Sequence, residues 1–164
     1  MFPAIRSTRW VTFDCYGTLV NGDVSPVRPL GDVESLLAEL RLRGYKIGVL
    51  TNCDDAQFES AHRKFLRPFD LFVTAERVRG YKPSPWHFRA FELLTGARKD
   101  DWVHVACSWY HDIAPAQARG VNCVWLDRDR TAEPPAGAPV PVHTAAAAAD
   151  AIDSLFRQPV GSGS

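Results

Sequence analysis

Trp10-Val-Thr-Phe-Asp-Cys-Tyr-Gly-Thr-Leu19 decides how the rest of this chain is read. Trp10–Phe13 is a short run of aromatic and β-branched residues, the pattern of a buried strand. A carboxylate follows at once, Asp14, and then Gly17 and Thr18, which permit a tight turn. A carboxylate at the tip of a buried strand is costly unless it is hydrogen-bonded or chemically employed. Backbone N–H groups of such a turn can hold an anion. The plainer alternative is an aspartate that only forms the turn.

Strand and helix patterns alternate onward from this point. Leu30, Val33, Leu36, Leu37 and Leu40 recur at three- and four-residue steps, so a helix is expected over Leu30–Leu42, stopped by Gly44. Lys46–Leu50 reads as the next strand, and Asp54–Phe65 as a polar helix capped by Asp54 or Asp55. Leu71–Thr74 is a strand, and Pro85–Thr95 a helix entered through proline and closed by Gly96. Val103–Ala106, a helix over Asp112–Arg119 ending at Gly120, and a last strand at Asn122–Leu126 follow. Prolines 134, 135, 139 and 141 make 131–141 a loop, and Thr144–Phe156 is an alanine-rich helix. Five such alternations imply an α/β fold: an open parallel sheet of about five strands with helices on both faces. Ligands then bind at the carboxyl ends of the strands.

A chain of 164 residues suits one domain, expected over 1–158, with 159–164 a flexible tail of the kind left by cloning. Hydrophobic residues make up 46% and charged residues 23%, a globular balance. Lysine plus arginine equal aspartate plus glutamate at 19 each, which gives no electrostatic reason to expect nucleic acid or an acidic membrane as partner. The low net charge leaves a homo-oligomer open. No apolar run is long enough to span a bilayer, and Met1–Arg9 shows no signal-peptide core. Cys15, Cys53, Cys107 and Cys123 are widely spaced, which fits neither zinc nor a disulfide scaffold. The expected setting is cytoplasmic, with reduced thiols. Five tryptophans, Trp109 among them, read as core or interface rather than cofactor site.

Four features lie just past strand ends. Asp14 is the first. Thr51-Asn52 offers a hydroxyl and an amide to a substrate oxyanion, or a cap for the following helix. Lys82, in Gly80-Tyr-Lys-Pro-Ser-Pro85, can neutralise carboxylates or stand solvated. Asp112 closes Ala106-Cys-Ser-Trp-Tyr-His-Asp112 and can also cap a helix.

In this order the four resemble the haloacid dehalogenase superfamily of aspartate-nucleophile hydrolases. Phe13–Leu19 is similar to its first motif, Leu50-Thr-Asn52 to its second, Tyr81-Lys-Pro83 to its third and Val105–Asp112 to its fourth, across Trp10–Leu126. The resemblance implies a Rossmann-like core in which Asp14 attacks a small-molecule substrate and water hydrolyses the resulting ester. Thr18, Thr51 and Asn52 would orient Asp14 and substrate, and Lys82 would keep Asp14 ionised. Asp112 would place water or bind a metal, and Tyr16 and Ser108 would contact the substrate.

Phosphatases of the superfamily place a second aspartate, a general acid, where Tyr16 stands. Asp-x-Tyr-Gly-Thr is instead similar to the 2-haloacid dehalogenase branch, where halide leaves without a proton and no cofactor is needed. Departures are Cys107-Ser108-Trp109 in the fourth motif, and Phe88 in place of a tyrosine. The alternative is a phosphatase with Mg²⁺ on Asp14, the Tyr16 carbonyl and Asp112; a second is a catalytically weak binding module. Relatives usually insert a helical cap domain after the first motif, and Val20–Pro26 leaves no room for one. Closure by another subunit is then expected, with Arg28 as the nearest carboxylate clamp or simply a surface residue.

Overall fold

Backbone hydrogen bonds in the computed structural model, which describes residues 7–22 and 25–157, join five strands in parallel. The strands are β1 (Trp10–Phe13), β2 (Lys46–Thr51), β3 (Leu71–Thr74), β4 (Trp102–Ala106) and β5 (Asn122–Trp125). Their order is β3-β2-β1-β4-β5, so the chain winds outward in both directions from β1. The crevice of such a sheet opens at the carboxyl end of the strand where the winding reverses, which is where Asp14 stands. The tail expected at 159–164 and the first six residues lie outside the described part.

Helices cover both faces. Val11, Phe13, Ile47, Val49, Val103 and Val105 pack against α1 (Val33–Leu42), α2 (Asp55–His62) and α6 (Ala145–Arg157). On the opposite face Leu50, Val73, Trp102 and Trp125 meet Phe88 and Phe91 of α4 (Trp86–Thr95) and Ala116 of α5 (Ala114–Ala118). Gly48 is required for that second contact: a Cβ there would lie 3.1 Å from Thr12 Cγ2 and 3.2 Å from Phe91 Cε2. No helix among the described residues is long and apolar enough to cross a membrane.

The structure departs from the sequence reading in four places. α1 begins at Val33 rather than Leu30, because the Leu30 N–H bonds back to the Leu19 carbonyl (2.9 Å) and ties that residue to the first loop. α2 stops at His62, and Lys64 and Phe65 bond back to carbonyls three residues earlier in tight turns. Trp109–Ile113 forms a wide π-type turn before α5, with Ile113 N bonding Ser108 O five residues back. Pro115 has no N–H to offer the His111 carbonyl, which removes a bond that a regular helix would need there. One turn of helix that sequence did not announce, α3 (Ala75–Val78), is capped by the Thr74 hydroxyl. Between Phe13 and Val33 the described residues form turns and isolated bridges and no helix.

Candidate active site

Immediately after β1 the chain doubles back. The N–H groups of Thr18, Leu19 and Val20 all bond to the Cys15 carbonyl, and Gly17 N bonds to Val20 O. These four donors are committed within the loop, so the anion cradle expected of this turn is not what they make. Gly17 sits at φ +80°, and the Cys107 Sγ would lie 3.1 Å from a Cβ added there. The turn fixes Thr18, whose hydroxyl faces Asp14 Oδ2 at 3.4 Å and accepts from Cys107 N at 3.1 Å.

Lys82 reaches the same point from the far side. Its ammonium donates to Asp14 Oδ1 (2.8 Å), Leu50 O (2.8 Å) and Asp112 Oδ1 (2.6 Å), so each of its three protons has an acceptor. Lys82 and Asp112 side chains are each 1% exposed, whereas Asp14 is 13% exposed. Burial opposes the Lys82 charge, but Asp14 and Asp112 outweigh it and raise the ammonium above its ordinary pKa. Burial likewise favours a protonated Asp112, yet Lys82 and then His104 hold it below the usual carboxylate range. Asp14 ends on the other side: burial pushes it up, Asp112 adds to the rise, and Lys82 only partly opposes. As pH falls, the first proton therefore goes to Asp14.

Asn52 holds the lysine rather than facing the cleft alone. Its amide donates to Lys82 O (3.0 Å) and accepts from Lys82 N (2.7 Å), so it acts on Asp14 through Lys82. The Thr51 hydroxyl pairs with Cys53 Sγ at 3.2 Å. Ser108 Oγ caps the π-type turn by accepting from His111 N (3.1 Å), and it also meets His111 Nδ1. Both hydroxyls are thus committed within the chain. Asp112 is no helix cap; it points into the core against Lys82 and His104. Tyr16 is half-buried with its phenol raised above the ordinary value by burial first and the neighbouring thiols next. Arg28 is exposed and lies outside the cleft wall.

A cleft of about 330 Å³ unites these groups, lined by Asp14, Tyr16, Thr51, Asn52, Lys82, Cys107, Ser108 and Asp112 among others. Sequence reading missed Gln57 and His111 of the same wall, and two polar residues beneath it. His104 Nε2 lies 2.9 Å from Asp112 Oδ1, and its Nδ1 lies 2.8 Å from Thr12 Oγ1. A polar residue inside an otherwise apolar strand was the available signal. The Cys15, Cys53 and Cys107 thiols are free and raised by burial, which keeps them from acting as thiolates.

The donor set for magnesium passes a simple test. Lys82 grips one oxygen of each carboxylate; Asp112 Oδ2 is buried with no partner, and Asp14 Oδ2 has a long 3.4 Å contact with Thr18, while the Cys15 backbone N–H also acts on the Asp14 carboxylate. Among the described residues no group of three or more His, Cys, Asp or Glu is arranged for a metal. Mg²⁺ retains several waters and needs only one or two carboxylates, so these oxygens and the Tyr16 carbonyl fit it.

A sequence profile for the family described as haloacid dehalogenase-like hydrolase matches residues 11–126. A phosphoserine phosphatase of Thermus thermophilus is 32% identical over 110 residues, 66% of this chain and 44% of that protein. A haloacetate dehalogenase of Moraxella sp. is 24% identical over 104 residues, 62% of this chain and 46% of that protein. This chain thus spans less than half the length of either relative. A solved phosphatase of Thermococcus onnurineus shares the fold, with a TM-score of 0.76 at 18% identity over 88% of this chain and 98% of the other.

Proposed function

Because the chain belongs to the haloacid dehalogenase-like hydrolases, we propose that Asp14 is its nucleophile, attacking a small substrate to form a covalent ester that water then cleaves. One observation carries this reading: a partly exposed carboxylate whose Oδ1 is clamped by Lys82 and whose Oδ2 meets no charged donor, only the Thr18 hydroxyl at a long 3.4 Å. Clamping restricts rotation and preserves the charge, while Oδ2 keeps its lone pairs for attack. The raised pKa of Asp14 accompanies a more basic oxygen. The cleft volume is of the order suited to a small molecule. We read the unit as a single domain without a cap domain, a view supported by the turns and bridges between Phe13 and Val33.

The leaving group follows from the groups beside Asp14. Lys82 has no proton to spare, and the Tyr16 phenol and the Cys53 and Cys107 thiols are all raised, so they are poor acids; no carboxylic acid stands two residues after Asp14, and His111 of the cleft wall is the one remaining donor among these residues. A halide departs with the electron pair of the carbon–halogen bond and takes no proton. This favours a dehalogenase-type reaction: Asp14 Oδ2 bonds to carbon, halide leaves, and water restores the carboxylate and releases the hydroxylated product.

The unpartnered Asp112 Oδ2 favours a second reading, a magnesium-dependent phosphatase. Asp14, Asp112 and the Tyr16 carbonyl would hold the ion, which would offset the charge of a phosphoryl group. In that case His111 is the group of the cleft wall left to protonate the leaving oxygen.

The expected outcome is halide release from a 2-haloacid without added metal, insensitive to EDTA. Asp14→Asn should lower it by about a thousandfold or more with the fold intact. Magnesium-dependent, EDTA-sensitive hydrolysis of an aryl phosphate, equally lost in Asp14→Asn, would replace the first reading with the second. Inactivity on both substrates, with equal stability of wild type and Asp14→Asn, would leave a binding module.

A further inference from the structure

Thr12 and His104 face each other across the β1–β4 pairing, in strands whose other residues are apolar. Both are fully buried, as is Trp102. Their hydrogen bonds form a line. Trp102 Nε1–H donates to Thr12 Oγ1 at 2.8 Å, and indole nitrogen can only donate. The Thr12 hydroxyl proton is then free for His104 Nδ1 at 2.8 Å. His104 Nε2 faces the Asp112 carboxylate at 2.9 Å, an acceptor, so this nitrogen carries the proton. Phe88 walls the imidazole edge-on, with ring centroids 5.2 Å apart and an interplanar angle of 74°.

The line ends on one particular atom. His104 Nε2 and Lys82 Nζ converge on Asp112 Oδ1, while Oδ2 has no partner at all. A buried carboxylate gripped by a single donor could rotate to share its oxygens. Two donors on one oxygen, one of them anchored through two further residues, remove that freedom.

We propose that His104 is a positioning residue: held by Thr12 and Trp102, it fixes the Asp112 carboxylate so that Oδ1 steadies Lys82 and Oδ2 is left without a hydrogen-bond partner. Lys82 in turn sets Asp14, so the line runs from inside the sheet to the reacting oxygen. This rests on the reading of Asp14, Lys82 and Asp112 as the reacting group. It assigns His104 no contact with substrate. The arrangement parallels histidine–carboxylate pairs in which loss of the outer partner costs about tenfold to a hundredfold in function.

Three variants of the full chain test it at one pH. His104→Phe keeps the ring against Phe88 and deletes both hydrogen bonds; His104→Gln restores an amide donor toward Asp112; Thr12→Val releases the imidazole without touching Asp112. The first readout needs no substrate: the ¹⁵N-labelled Lys82 ammonium, shielded and triply bonded, should give a slowly exchanging signal in wild type. His104→Phe should shift and broaden it, His104→Gln should return it toward the wild-type position, and Thr12→Val should fall between. The second readout is turnover of whichever substrate Asp14→Asn abolishes: kcat should fall about tenfold to a hundredfold in His104→Phe with KM little changed, and His104→Gln should recover most of that loss. A folded His104→Phe whose ammonium signal matches wild type overturns the proposal. If His104→Phe does not fold, a Thr12→Val protein with the wild-type signal overturns it equally. Turnover that survives Asp14→Asn would sink the nucleophile assignment alone, because the ammonium readout does not depend on it.

Discussion

Lys82 is the residue on which the site's electrostatics turn. A lone lysine in a proline-flanked loop carries little information, but its place after β3 and before α4 in a chain with Asp14 and Asp112 made it legible. Its position between the buried Asp112 and the partly exposed Asp14 was legible only in outline, since no spacing rule says which oxygen an ammonium takes. Replacing it by methionine leaves Asp14 and Asp112 without a cation, and breaking a buried pair in this way costs about 3–5 kcal/mol. Urea unfolding of Lys82→Met should show a loss of that size, with turnover gone; a midpoint equal to wild type would mean that the ammonium is not carrying this charge. The pH dependence has a definite sign at the acidic end. Asp112 is held below its ordinary value, so the stability it contributes is present above pH 3.8 and is lost as pH falls through the folded value. His104 and Thr12 escaped sequence reading because periodicity treats one polar residue in a buried strand as an interruption, although it was the sign of a hydrogen-bonded interior.

At the scale of elements, strand positions were legible nearly to the residue, because each is bounded by a glycine, a proline or a charged turn. Gly96 closes α4 in the left-handed conformation, as its place after Thr95 suggested. Asp54, and not Asp55, caps α2, its carboxylate accepting from Gln57 N at 2.7 Å, while Asp55 turns to Thr74 and Arg77. Two adjacent aspartates differ here only in the partners that the fold brings to each. The turn after β1 and the π-type turn after β4 were less legible, because both depend on bonds between distant segments: Cys107 N to Thr18, and Arg128 to both Asp32 and the Thr18 carbonyl. Gly17→Ala tests the first turn. A methyl group meets a left-handed φ and the Cys107 sulfur together, so a loss of about 1–3 kcal/mol is expected in thermal or urea unfolding, with a larger fractional loss of turnover as Asp14 shifts. An unchanged midpoint and rate would show that the turn is not rigid.

For the molecule as a whole, α/β alternation gave the layers, and the two-directional winding from β1 explains why four separated motifs share one cleft. The same burial that builds the second layer carries a cost in acid. His87 of α4 is buried, donates Nε2–H to the Thr51 carbonyl at 2.9 Å, and is pushed down to about 4 by its surroundings. The unfolded chain takes up this proton near pH 6.5 and the folded one does not, so stability falls as pH drops from 6.5 toward 4, by up to about 3 kcal/mol. His87→Gln should flatten that limb in urea titrations repeated across the range; an identical slope would assign the acid sensitivity elsewhere. Lys82 offers a final handle of a different kind. Lys46, Lys64 and Lys99 are exposed, whereas Lys82 is 2% exposed with every proton engaged. An amine-acylating reagent should mark those three promptly and reach the fourth only when the sheet's mouth parts. The pace of that last label would clock the opening of the folded chain, without any substrate having to be known.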